Sequence, residues 1–255
     1  MKKPSAARSA AQRTMQRPKL AVMVADAIAE EIFEKGLAPG VVLATESKML
    51  DQFGVGRATL REALRLLEAE GLIAVRAGPN GGAVVQQPAP DRLARLLSIL
   101  LTVSGTTLED VLQARTVLEP ELARRAALNA DKHDIAALDE AIEKLADSSS
   151  RKSEFLEESA HFHSLVATAS NNIALSSFWF AIRRIADGQQ VGVHYTMDSL
   201  DGSLRAHKRI LEAIRMRDPD KAGDSMLRHI TAHYDYLKSD YPFLLSSKVR
   251  LLGTR

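Results

Sequence analysis

The sequence contains no cysteine among its 255 residues, which excludes disulfide scaffolds, thiolate zinc fingers, iron–sulfur clusters and cysteine nucleophiles. No apolar run near either end approaches the roughly 18–20 residues that a membrane span needs. A secretory signal is also missing, because charges are scattered through Met1 to Lys19 and leave no continuous apolar core. These absences predict a cytoplasmic protein with no membrane partner. What is present is ordinary: 45% hydrophobic and 26% charged residues, enough to build a real core. The length predicts two domains of unequal size.

Acidic residues are scarce at the start. Lys2, Lys3, Arg8, Arg13, Arg17 and Lys19 precede the first acid, Asp26. Residues 1–88 carry 12 Lys/Arg against 9 Asp/Glu, a balance of +3, whereas residues 89–255 carry 22 against 23, a balance of −1. The cationic share therefore sits in the N-terminal third. A disordered basic arm over residues 1–18 could follow a phosphate backbone, or it could be a leader with no role.

Val24, Ala27, Ile28 and Ile32 recur with the spacing of one helical face, predicting a helix from about Leu20 to Lys35. Thr45 can cap a short helix carrying Met49 and Leu50. After the Gly54-Val55-Gly56 turn, Leu60, Ala63, Leu64 and Leu67 mark a further helix from Arg57 to about Glu70, with Gly71 as its C-terminal glycine. Leu72 to Val75 and Ala83 to Val85 are β-prone runs around a Gly-rich tip, the pattern of a two-stranded hairpin. Gln86-Gln87-Pro88-Ala89-Pro90 then breaks all periodicity. The predicted organisation is a tail at 1–18, a winged helix-turn-helix at 19–86, a linker at 87–90, an all-α antiparallel bundle at 91–240 and a C-terminal tail at 241–255. The fold class is thus mainly α.

The order helix, helix, turn, helix, hairpin places Arg57, Ala58, Thr59 and Arg61 on the first turns of a recognition helix. Free N–H groups at a helix N-terminus attract phosphate, and an arginine there can fork onto a guanine edge. Phe53-Gly54-Val55-Gly56-Arg57-Ala58-Thr59-Leu60-Arg61-Glu62-Ala63-Leu64-Arg65-Leu66-Leu67-Glu68-Ala69-Glu70-Gly71-Leu72-Ile73 resembles the core signature of GntR-type bacterial transcription regulators. The hairpin from Val75 to Val85 is similar to that family's wing. The resemblance implies that Arg57, Thr59 and Arg61 contact DNA, with Ala77 and Gly78 at the wing tip in the minor groove. Two departures stand out: Ser47 occupies a position where the family commonly carries a DNA-reading arginine, and Gly56 replaces a stronger capping Ser or Thr.

The run from Leu108 to Pro120, with His161-Phe162-His163, Asn171, His207 and Arg228-His229, resembles the FCD-type effector domain of the FadR branch. Periodicity alone turns His163 inward and His161 outward, and places His207 and His229 on apolar faces of their helices. One such histidine is usually a bonded core residue. The resemblance implies that His163, His207 and His229 hold a divalent metal such as zinc or nickel, joined by an Asp one turn before the first. That position is Ser159, a poor ligand at neutral pH. Water, Glu158 from a shifted helix, His233 or an effector carboxylate could take its place. Arg115 falls on a largely apolar face and needs an anionic partner: Glu119 or another internal acid or, as the resemblance implies, a small organic or sugar acid effector. Ser159 and Asn171 are the other expected effector contacts.

The expectation is a ligand-responsive transcription regulator, not an enzyme, acting as a homodimer on an inverted repeat of double-stranded DNA and released by a small carboxylate. A metal-dependent hydrolase or lyase built on the three histidines is the rival, although no acid is placed as its base and it leaves residues 43–85 unexplained. An architectural DNA-binding protein whose bundle only dimerises is a third option.

Overall fold

The structure is a computed structural model that describes residues 6–78, 82–148, 151–189 and 193–252. The chain divides into two compact units, with the boundary after Arg92. In the first unit, α1 spans Ala6–Glu34, α2 Glu46–Phe53 and α3 Arg57–Glu70, followed by β1 at Ile73–Arg76 and β2 at Gly82–Val85. Thr45 caps α2 by accepting a bond from the Lys48 N–H, and Gly54 ends it at φ 61°. Gly56 precedes α3 in extended backbone with no side chain to cap it, and Gly71 closes α3 in the left-handed region at φ 79°.

The core of this unit keeps Val24, Ile28 and Ile32 of the face anticipated from periodicity, with Ala25 buried in place of the half-buried Ala27. Val24, Ala25, Ile28 and Ile32 of α1 meet Leu60, Ala63, Leu64 and Leu67 of α3, closed by Ile73, Ala83 and Val85. The strands pair antiparallel with Ile73 opposite Val85 and Arg76 opposite Gly82. Two details go beyond expectation. The segment before α2 runs alongside β2, with Val42 bridged to Val84 and the Leu43 N–H bonded to the Ala83 carbonyl at 2.8 Å. The helix expected from Leu20 begins at Ala6, so residues 6–18 are helical rather than a disordered arm. Ala6, Ala7, Ala10 and Ala11 are strong helix formers and account for that extension. Lys2 and Lys3 lie outside the described residues, as do Pro79, Asn80 and Gly81 of the wing tip.

Helix α4, Pro90–Val103, begins in the last residues of the first unit, and the second unit continues as α5 Leu108–Asn129, α6 Lys132–Asp147, α7 Lys152–Ala169, α8 Ile173–Gln189, α9 Met197–Arg215, α10 Pro219–Asp240 and α11 Pro242–Leu245. Side-chain caps set several starts. Thr107 with Asp110 and Asp131 with Asp134 form reciprocal capping boxes for α5 and α6. Thr196 starts α9 four residues before the expected Asp201, because its hydroxyl accepts from the Ser199 N–H. Helix α5 is central, packed against α7, α8, α9 and α10. The segment expected as a tail is docked: the Leu108 N–H bonds to the Ser247 carbonyl and the Val249 N–H to the Thr106 carbonyl, both at 2.9 Å. Leu245 and Val249 are buried there.

Because Leu60 is fully buried between α1 and α3, Leu60→Ala is expected to destabilise the first unit by about 2–5 kcal/mol. Denaturant unfolding read by backbone circular dichroism checks this, and a loss under about 0.5 kcal/mol is what a surface position would give instead.

Candidate functional site: a reading helix and a buried histidine centre

Arg57, Ala58 and Arg61 are exposed on the first turns of α3 and Thr59 is half-buried, while Leu60 and Leu64 are buried behind them. One arginine is lightly engaged: Nε of Arg61 lies 3.7 Å from Glu46, with both side chains well exposed. Such a pair contributes little and yields readily to a phosphate or a base edge. Without a capping side chain at Gly56, the first N–H groups of α3 are left to an incoming anion. Ala77 and Gly78 are exposed at the end of β1, with Gly78 at φ 107°.

In the second unit, α7, α9 and α10 bring His163, His207 and His229 together. Nε2 of His163 lies 3.2 Å from Nε2 of His229 and 3.2 Å from Nε2 of His207. Ser159, one turn before His163, places its hydroxyl 3.3 Å from Nε2 of His207. Periodicity therefore oriented all four correctly, and His161 is exposed as expected.

Hydrogen bonds behind the rings decide what these nitrogens can do. Nδ1 of His207 lies 2.7 Å from the Ser203 carbonyl, which can only accept, so Nδ1 carries the proton and Nε2 a lone pair. Nδ1 of His163 lies 2.6 Å from Oε2 of Glu119, an ion-pair distance outside hydrogen-bond geometry, and a neutral ring with its proton on that side has a lone pair on Nε2. Two lone pairs thus face each other at 3.2 Å, an arrangement that calls for a cation between them. Nitrogens about 2.0–2.1 Å from a tetrahedral ion stand about 3.3–3.4 Å apart, so the spacing fits a divalent metal. Zinc and nickel both accept imidazole.

Burial pushes His207 down to about 3, reinforced by the neighbouring His163. It holds His229 well below its ordinary value too, with His207 and His163 adding to the effect. Burial alone would raise Glu119, yet Arg115 and His163 together hold it well below the carboxylate range. His207 and His229 are thereby held neutral and Glu119 ionised, protonation states that suit a metal.

Arg115 is paired: its Nε donates to Oε1 of Glu119 at 2.5 Å, and both residues are buried. The internal acid, left open against an effector by sequence, is therefore Glu119. Nearby, the Tyr195 hydroxyl lies 3.0 Å from Nε2 of His233. His233 is thus engaged by tyrosine, and burial with the Arg115 charge takes it down to about 3. Burial pushes Tyr195 up to about 12. Arg183 donates to the Ala160 carbonyl and the Ser164 hydroxyl at 2.6 and 2.9 Å. Tyr195 and Arg183 went unnoticed in the sequence, since neither carries a local signal of its neighbours.

Asn171 lies apart from this cluster. It is exposed in the turn after α7 at φ 52°, and a helical rise of about 1.5 Å per residue puts it roughly 12 Å along from His163. Asparagine tolerates that left-handed geometry better than most residues, so its place there is that of a turn former.

The model of the bacterial regulatory proteins of the gntR family matches residues 20–85, and that of the FCD domain matches residues 110–232. The HTH-type transcriptional repressor NanR of Salmonella typhimurium is 30% identical over 239 residues, covering 89% of this chain and 88% of that protein. The chain belongs to the gntR family, with an FCD domain. NanR of Salmonella schwarzengrund shows the same identity and coverage. Among solved structures, a GntR protein of Streptococcus agalactiae superposes with a TM-score of 0.66 at 27% identity, covering 84% of this chain and 99% of that one. The protein is a ligand-responsive, DNA-binding transcription regulator. No described helix is long and apolar enough to cross a membrane. A hydrolase or lyase finds no support in these comparisons.

The depressed histidines predict a pH dependence for the metal-stripped protein. His207 has an ordinary value of 6.5 and a folded value of about 3. Between them the unfolded chain binds more protons, so stability rises with pH. Its contribution is fully present above about 6.5 and is lost as pH falls toward 3. Melting temperatures measured from pH 8 to pH 5 are expected to hold level and then fall below about 6.5. A level profile throughout would mean that the imidazoles titrate freely in water.

Proposed function

We propose that this regulator is a repressor that binds an inverted-repeat operator as a cytoplasmic homodimer and is released by a small organic or sugar acid held in its FCD domain. The observation that carries the proposal is the convergence of three imidazoles, with Nε2 of His163 3.2 Å from Nε2 of both His207 and His229, in a chain whose other unit leaves Arg57 and Arg61 exposed on a reading helix. Its NanR relatives are named as transcriptional repressors.

In this proposal Arg57 and Arg61 read base edges, Thr59 and the α3 N-terminus meet phosphate, and Ala77 with Gly78 enter the neighbouring minor groove. His163, His207 and His229 would hold zinc or nickel. The bound ion would supply a Lewis-acid contact for a carboxylate oxygen. Ser159 contributes no charge, and that oxygen would take the position beside His207 where the serine hydroxyl lies. Arg115, its Nε bonded to Glu119, would offer its remaining guanidinium N–H groups to the rest of the anion. Effector binding then changes operator affinity by a coupling free energy, typically about 1–3 kcal/mol.

Two measurements test this. Fluorescence anisotropy on the operator is expected to show affinity falling steeply with salt, and Arg57→Ala or Arg61→Ala each costing about 1–3 kcal/mol. Wild-type affinity in both variants would remove α3 from the interface. Elemental analysis of protein purified without chelator is expected to find a transition metal. A panel of sugar and organic acids is expected to contain one that raises the melting temperature and lowers operator affinity. An absence of metal would end the metal assignment.

A further inference from the structure

Resting on the metal centre proposed above, we infer that Glu119 is the positioning residue of that centre: its carboxylate locks His163 as the Nδ1–H tautomer, so that Nε2 is committed to a metal.

Glu119 and Arg115 lie one turn apart on α5, while His163 stands on α7. The carboxylate is 2% exposed and is divided between two partners: Oε1 accepts from Nε of Arg115 at 2.5 Å, and Oε2 faces Nδ1 of His163 at 2.6 Å. The second contact is an ion-pair distance outside hydrogen-bond geometry, and neither Oε2 nor Nδ1 has a hydrogen-bond partner. Each buried atom has only the other, and leaving either one unmatched is costly. An ionised carboxylate accepts and never donates, so the imidazole proton must sit on Nδ1.

His207 is fixed in the same sense by the backbone carbonyl of Ser203, a partner that no side-chain substitution removes. His163 depends on a side chain. It is also the ring closest to both others through Nε2, so its tautomer governs whether the centre presents lone pairs or a blocking N–H. Arg115 keeps the carboxylate ionised and holds it in rotation through Oε1. In Glu119→Gln, an amide whose oxygen stays on Arg115 turns its NH2 toward Nδ1 of His163. That amide favours the opposite tautomer, with the proton on Nε2.

Cobalt(II) serves as the probe, added to the full chain after chelator treatment. Glu119→Gln is expected to bind it about 10–100-fold more weakly than wild type, with an altered visible ligand-field spectrum and an unchanged far-ultraviolet circular dichroism. Wild-type affinity together with a wild-type spectrum would overturn the proposal. Should the variant fail to fold, the native chain decides: after 15N-histidine labelling, long-range proton–nitrogen spectra of the stripped protein are expected to place the His163 proton on Nδ1. A proton on Nε2 would overturn the proposal. If wild type binds no cobalt, the metal reading falls by itself, and the tautomer measurement still judges the role of Glu119.

Discussion

An ionised carboxylate shut away from water needs partners for its charge, and Glu119 has a hydrogen bond from Arg115 on its own helix and Nδ1 of His163 within ion-pair distance on its neighbour. Much of the FCD unit depends on this. The Arg115 bond keeps an otherwise costly guanidinium inside the bundle, and the His163 contact ties α5 to α7. Through His163 the same carboxylate reaches the point where α7, α9 and α10 meet. Burying two charges and several imidazoles is poor value for stability alone, since well-packed apolar side chains would serve as well or better. The arrangement instead defines a site: rings whose outer nitrogens are held by fixed acceptors and whose inner nitrogens have nothing to share but lone pairs.

The first unit meets a simpler constraint. Helix α3 has to bury Leu60, Ala63, Leu64 and Leu67 against α1 and the strands, and a helix that commits one side to a core presents the other to solvent. Arg57 and Arg61 fall on that outer side near the helix start, where the dipole also favours an anion. The pairing of residues 40–43 with β2 anchors the wing's second strand from its far edge. The wing base is therefore held by three extended segments rather than two.

Much of this was legible in the sequence, because it follows from period and local chemistry. The 3.6-residue recurrence located α2, α3 and α5 to α10 to within a few residues, and Gly71 marked the end of α3. Inward and outward faces were right for His161, His163, His207 and His229, since a helical face is a local property. The misses share a cause. Residues 6–18 are rich in alanine and arginine without an apolar face, so periodicity could not separate helix from coil. The docking of residues 245–249 rests on bonds to Thr106 and Leu108, more than a hundred residues away in the chain. The place of Asn171, an expected effector contact, in the exposed turn after α7 could not be read from motif proximity, which says nothing about the axial distance along a helix.

The sequence by itself determined the class of protein: two units of different composition, a reading helix with its arginines outward, and three inward histidines on separate helices. Spacing of side chains along one helix settles those, and no partner is needed. Only the tertiary structure decided who pairs with whom. Arg115 could have waited for an effector, but Glu119 takes it one turn away and turns its other oxygen to His163. That second choice depends on how closely α5 approaches α7, a distance set by packing across the bundle rather than by any local run of residues.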